Sequence, residues 1–65
     1  MNIHLNGESK IIHAATISEL IQEIGLQSRL VAVERNLEVV PKSLYGEVSL
    51  EDGDRIEIVH MIGGG

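Results

Sequence analysis

The sequence predicts an α+β fold in which one helix packs on one face of a mixed sheet of four or five strands. Three observations carry it. An apolar–polar alternation at the start of the chain runs into Asn6-Gly7, a hairpin signal. A capped apolar stripe at helical spacing follows. Further strand-like runs then complete the order ββαβββ. Strands on both sides of a single helix read as α+β.

The elements follow in order. Met1, Ile3 and Leu5 alternate with Asn2, His4 and Asn6, a half-buried first strand. A second strand is expected over about Glu8 to His13. A two-residue turn pairs Ile3 with Lys10 and Met1 with Ile12, whereas a three-residue bulged loop pairs Ile3 with Ile11. Either way one of Ile11 and Ile12 stays exposed. Thr16-Ile17-Ser18-Glu19 fits a capping box, with Glu19 reaching back. Ile17, Leu20, Ile21 and Ile24 form one stripe, and Gly25 with Leu26 supplies the stop, so the helix is expected over Ile17–Ile24. Val31 and Val33 mark a third strand over about Leu30–Arg35, followed by a turn at Asn36-Leu37. Glu38–Val40 is a short strand stopped by Pro41. Lys42–Leu50 is irregular, with Leu44, Val48 and Leu50 as core contacts. Glu51–Asp54 is a turn, and Arg55–Met61 is the last strand, with Ile56 and Ile58 inward. The expected core is Ile3, Leu5, Ile17, Leu20, Ile21, Ile24, Val31, Val33, Ile56 and Ile58.

Size and composition narrow the function. Sixty-five residues make one domain at most. A domain this small buries only about 60% of its unfolded surface, so its stability margin is a few kcal/mol. There is no cysteine to form a disulfide, and His4, His13 and His60 are not paired at metal-ligand spacing. Stability must come from Ile, Leu and Val, because the chain has no Phe or Trp and one Tyr. Without a thiol the chain cannot hold a persulfide or use a cysteine nucleophile. The absence of disulfides, an export signal and a membrane-length apolar run points to the cytoplasm. The net charge of −5 argues against nucleic acid and favours a partner with a basic docking surface.

No self-sufficient catalytic site emerges. Asp52-Gly53-Asp54 is a fragment of a calcium loop without its spacing or closing Glu, and reads as a turn. Glu34 and Glu38 merely flank a turn. The chemistry is expected at Ile62-Gly63-Gly64-Gly65, a tail following a domain that spans 1–61. At average glycine usage of about 7%, three such residues in a row arise by chance roughly three times in 10,000. Glycine offers an ordered fold nothing there. A tail without side chains threads a narrow channel and bends inside it. Four residues reach about 14 Å at roughly 3.5 Å each, enough to deliver the Gly65 carboxylate into another protein's active site. A carboxylate is a poor electrophile, so an ATP-using partner is required.

These residues resemble the thiamine-biosynthesis sulfur carrier family, ThiS, of the ubiquitin-like β-grasp superfamily. The resemblance covers the whole chain: Asn6-Gly7, Thr16-Ile17-Ser18-Glu19-Leu20, Val31-Ala32-Val33-Glu34-Arg35-Asn36, Pro41, Asp52-Gly53-Asp54 and Gly64-Gly65. Leu37 departs from it, standing where many relatives have a small or turn-forming residue. The resemblance implies a β-grasp, with the first and last strands as parallel neighbours at the sheet centre. It implies that Gly65 is adenylated by a ubiquitin-activating-type adenylyltransferase (ThiF-like) using ATP and Mg²⁺. Sulfur from a cysteine desulfurase route then leaves a thiocarboxylate on Gly65, which a thiazole synthase (ThiG-like) uses to build the thiazole ring of thiamine. On this reading the chain is a co-substrate, not an enzyme, binds no cofactor or metal and is a monomer when free. Ile62, Gly63 and Gly64 enter the partner's active site. Val59 and Met61 have outward parity on the last strand and are the candidate docking residues. A carrier for molybdopterin synthesis, tRNA thiolation or cysteine synthesis shares fold and tail, and a ubiquitin-like binding module or modifier shares the fold.

Overall fold

The computed structural model describes residues 1–61. Six elements appear in chain order: β1 (Asn2–Leu5), β2 (Glu8–Ile11), α1 (Ile17–Glu23), β3 (Val31–Arg35), β4 (Glu38–Val40) and β5 (Arg55–His60). Short 3₁₀ turns at Ser28–Leu30 and Lys42–Leu44 link them. The strands make one five-stranded sheet in the order β2-β1-β5-β3-β4. β5 lies at the centre, parallel to β1 and antiparallel to β3. This is the β-grasp arrangement expected, with five strands realised.

Turn chemistry settles the first hairpin. Asn6 and Gly7 both take positive φ, +50° and +84°, as a two-residue primed turn demands. Ile3 therefore pairs with Lys10 and Asn2 with Ile11. The register sends Ile12 into the core at 2% exposure and leaves Ile11 80% exposed. β2 stops at Ile11, two residues short of the expected His13, because the chain must dive inward at Ile12 and Ala14.

The helix starts as its sequence dictates, with one displacement. Thr16 caps it by accepting from the Glu19 N–H at 3.2 Å. Glu19 reaches back past the cap residue to the Ala15 N–H, at 2.8 Å. Glu23 takes the N–H groups of His13 and Ala14. Two helix glutamates thus satisfy the backbone of the incoming segment. At the other end, Ile24 is the cap residue and lies outside the last turn, so α1 is one residue shorter than expected. Gly25 takes φ +83° and donates to Gln22, and Leu26 donates to Ile21. This pair of bonds is the Schellman stop.

The core lies between α1 and one face of the sheet. Ile17, Leu20, Ile21, Val31 and Ile56 are fully buried, and Ile3, Leu5, Val33 and Ile58 nearly so. Ile24, expected among them, is only partly buried and packs against the rim. Leu44 is also at the margin, 38% exposed, while Leu50 is buried. Ala14, Val40 and Tyr45 are members not expected from the sequence, and Tyr45 is the largest of them. Its ring is 4% exposed and its hydroxyl donates to the Val31 carbonyl at 3.2 Å. Burial raises the phenol's pKa above its ordinary value.

The β3–β4 hairpin carries strain. Arg35 pairs with Glu38 across Asn36-Leu37, and these two residues have φ +52° and +71°. Asn tolerates that region, but Leu does not, and the Leu37 side chain is 73% exposed. Leu37→Gly should therefore stabilise the domain by about 0.5–1 kcal/mol, the conformational relief exceeding the added chain entropy. Chemical denaturation of the two proteins measures this; a midpoint lowered in Leu37→Gly contradicts it.

Candidate functional site

The candidate site is the end of β5 and the sheet surface around it, because in sequence β5 leads into the glycine tail. Burial alternates along the strand: Ile56 and Ile58 face the helix, whereas Val59 is 63% and Met61 41% exposed. The strand ends at His60, one residue earlier than expected. Met61 nevertheless stays attached, its N–H donating to the Leu30 carbonyl at 2.7 Å. Cross-strand pairing sets Ala32 beside Val59. Ala32, Val59, Met61 and Leu30 make up an exposed apolar surface at this end of the sheet. Ile62, Gly63, Gly64 and Gly65, the expected tail and modification site, lie outside the described residues.

β5 is held by polar side chains that flank it on both sides. After β1 turns away, the Asn6 side chain continues the pairing: its Oδ1 accepts from the Ile58 N–H at 2.8 Å and its Nδ2 donates to the Ile58 carbonyl at 3.3 Å. On the other side, Asn36 Oδ1 accepts from the Arg55 N–H at 3.0 Å, and the Asn36 N–H donates to the Arg55 carbonyl at 2.8 Å. Both asparagines occupy left-handed turn positions, so one residue type serves the turn and the strand together.

Asp54, the residue before β5, is the polar hub. It is 5% exposed. Its carboxylate accepts from Arg35 Nε at 2.8 Å, Asn36 Nδ2 at 3.1 Å and the Glu51 N–H at 2.9 Å. Burial pushes its pKa up, but the Arg35 guanidinium, the Glu51 N–H and the Asn36 amide outweigh burial and hold it below the ordinary 3.8. Sequence reading took Asp54 as one of several turn acids. The only signal for more was its position at the entry to an apolar strand.

Nothing in the described residues amounts to a catalytic constellation. No group of three or more His, Cys, Asp or Glu among them is placed to hold a metal ion. A groove of about 210 Å³ runs along β4 between Arg35, Val39 and Leu44. It is smaller than the roughly 300–1,000 Å³ of small-molecule sites. No helix among them is long and apolar enough to cross a membrane.

Comparison with known proteins agrees with this architecture. The ThiS family model matches residues 3–65. A thiazole synthase of Paramagnetospirillum magneticum is 53% identical over 66 residues, covering 100% of the chain and 20% of that protein. The chain thus spans about a fifth of the length of the thiazole synthases it matches. The sulfur carrier protein ThiS of Bacillus subtilis is 50% identical over 50 residues, covering 77% of the chain and 76% of that protein. The crystal structure of the thiamine biosynthesis protein ThiS from Geobacter metallireducens superposes with a TM-score of 0.83 at 30% identity, covering 100% of both chains.

The Asp54 hub makes an acid-limb prediction. Its folded pKa lies below the unfolded one, so its stabilisation is fully present above the unfolded value and is lost as pH falls through the folded value. Stability should drop as pH falls below about 4. Asp54→Asn should be less stable at neutral pH and should show a flatter acid limb. Denaturation midpoints from pH 7 to pH 2 measure both; parallel curves for the two proteins rule out the assignment.

Proposed function

The chain belongs to the ThiS family, and we propose that it acts as a sulfur carrier in thiamine biosynthesis, with the sulfur held on the carboxyl carbon of Gly65. The observation that carries this reading is a double resemblance. The chain matches a sulfur carrier over 77% of its length and, over its whole length, a segment of proteins named thiazole synthase. A carrier stretch within a thiazole synthase is held at high local concentration beside the sulfur acceptor, which favours thiamine over the other sulfur-requiring pathways.

The chemistry suits this chain's composition. With no cysteine, sulfur has nowhere to ride but a carboxyl group. A carboxylate oxygen of Gly65 attacks the α-phosphorus of ATP, with Mg²⁺ on the phosphates, in an adenylating partner, and pyrophosphate leaves. The terminal sulfur of a persulfide from a cysteine desulfurase route then attacks the same carbon and displaces AMP, giving an acyl disulfide. A second thiol of the partners attacks the donor's sulfur in that disulfide, releasing the thiocarboxylate and leaving a disulfide on the partners. The chain contributes reach and an unhindered carbonyl; the partners contribute ATP, Mg²⁺ and catalysis. Gly63 and Gly64 thread the partner's channel together with Ile62. Val59 and Met61, on the outer face beside the tail, dock against the partner and set the depth of insertion.

Two measurements test this. A chain ending at Gly65 should support ATP–pyrophosphate exchange by the cognate adenylating enzyme and gain one sulfur for one oxygen in its intact mass. Extending it by one Ala moves the reactive carbon by about 3.5 Å, far beyond what a near-attack geometry tolerates, so exchange should be lost while the fold is kept. Full exchange by the extended chain refutes the mechanism. Separately, Val59→Asp should raise the Kd for the adenylating enzyme about tenfold or more with thermal unfolding unchanged, through a buried charge at the interface. An unaltered Kd removes Val59 from the docking surface.

A further inference from the structure

Asn6 carries both the first turn and the grip on the central strand, and the residue after it leaves its side-chain amide open to attack. That residue is Gly7. The Asn6 N–H donates to the Ile56 carbonyl at 2.9 Å, its Oδ1 accepts from the Ile58 N–H at 2.8 Å, and its Nδ2 donates to the Ile58 carbonyl at 3.3 Å. The paired residues of β1 and β5 are His4 with Arg55 and Leu5 with Ile56, so the Asn6 side chain supplies the far end of a short contact. Asn6 is nevertheless exposed. A Cβ added to Gly7 would meet no atom within 4 Å, so water has open access to the turn.

Asparagine is a thermolabile residue because its side-chain amide is an electrophile beside the next backbone nitrogen. Attack by that nitrogen has two requirements. The following residue must not crowd the approach, and the amide must be free to turn its carbonyl carbon toward the nitrogen. Gly7 meets the first, having no side chain. The other asparagines do not: Asn2 is followed by Ile3 and Asn36 by Leu37, both branched. The fold withholds the second requirement at Asn6. Both polar atoms of its amide are bonded to Ile58, which fixes the amide plane.

We propose that Asn6 is a spontaneous modification site gated by the β1–β5 contact, and that its modification releases β5. When the contact opens locally, the Gly7 nitrogen bonds to the Asn6 Cγ, the Cγ–Nδ2 bond breaks, and ammonia leaves with the proton that the nitrogen gives up. Water then adds to either carbonyl of the resulting cyclic imide and opens it, to aspartate or to isoaspartate. Nothing is oxidised or reduced, and water is the only co-reactant. Neither product restores the grip. Aspartate keeps an acceptor for the Ile58 N–H, but it sets a negative oxygen against the Ile58 carbonyl in place of the Nδ2 donor. Isoaspartate adds a methylene to the backbone of a turn whose geometry rests on φ of +50° and +84°. The modification forms only while β5 is away and then hinders its return. It uses only the domain and water, and is independent of what the chain carries.

The full chain is incubated in mildly alkaline buffer, folded and in denaturant, with intact mass and peptide mapping as the readouts. Each event replaces NH₂ by OH, a gain of about one dalton. The gain should map to Asn6 and accumulate at least about tenfold faster in denaturant than in the folded chain, as a reaction gated by opening requires. Asn6→Asp, equivalent to one of the two products, should show a lowered thermal midpoint and faster hydrogen exchange at the Ile58 N–H. Modified chain separated from an aged sample should show the same two changes, which extends the measurement to the isoaspartate form. Equal rates in the folded and denatured chain, a gain that maps to Asn2 or Asn36, or no gain at all overturns the gating. A wild-type midpoint with wild-type exchange at Ile58 in the modified forms overturns the release of β5.

Discussion

The pairing of β5 with β1 is the constraint on which the rest of this structure depends. It joins the two ends of the described chain in parallel, and parallel neighbours need a long crossover. Everything from β2 to β4 is that crossover. The ladder is short, with His4 opposite Arg55 and Leu5 opposite Ile56. Asn6 lengthens it by lending its side chain to Ile58. The Glu51–Asp54 turn fastens the other end, where Gly53 donates to the Asn2 carbonyl and the Asp52 carboxylate accepts from the Asn2 N–H. A domain without disulfides or large aromatic packing therefore relies on side-chain hydrogen bonds to clamp its central strand, and on Ile56 beneath that strand to fill the core.

Local signals were legible where a single backbone geometry had to be met. Asn6-Gly7 implied a hairpin, and Thr16 and Gly25 implied the two helix ends; each is present at its position. The hairpin register was not legible, because Ile11 and Ile12 are equally apolar and only the turn geometry with the inward path to Ala14 separates them. Ile24 read as core because its spacing fits the stripe, but the Schellman stop rotates the chain away just there. Tyr45 was missed because an irregular segment has no period to reveal which side points in. Its role depends on the Val31 carbonyl, fourteen residues back in sequence. Asp54 was missed for a similar reason. A buried carboxylate and a surface turn acid look alike until Arg35 and Asn36 are seen beside it.

The candidate site divides along the same line. The parity of Val59 and Met61 could be counted from the buried Ile56 and Ile58, and both are exposed. Their neighbours could not be counted, because Ala32 and Glu34 come from a strand whose register against β5 no periodicity supplies. Exposure on this face is what distinguishes it from the inner one. The inner positions of β1, β3 and β5 hold Ile, Leu and Val that a seven-residue helix covers, with Arg35 and His60 at strand ends, while the outer positions mix Asn, His, Glu, Ala, Arg and Val with no covering layer.

That division lets stability and recognition be altered separately, within limits set by β5. The strand takes part in both layers: Ile56 and Ile58 belong to the core, Glu57 and Val59 to the open face. A shift of one residue in its register exchanges the two sets. Any variation on the open face must therefore leave the β5 register untouched. The clamps are placed accordingly, with Asn6 on the Ile58 backbone, Asn36 on the Arg55 backbone and Asp54 at the entry. None of them touches the outward side chains of Glu57 or Val59. The register is fixed through the backbone and through Asp54, which leaves the side chains of the outer face free to vary without loosening the strand.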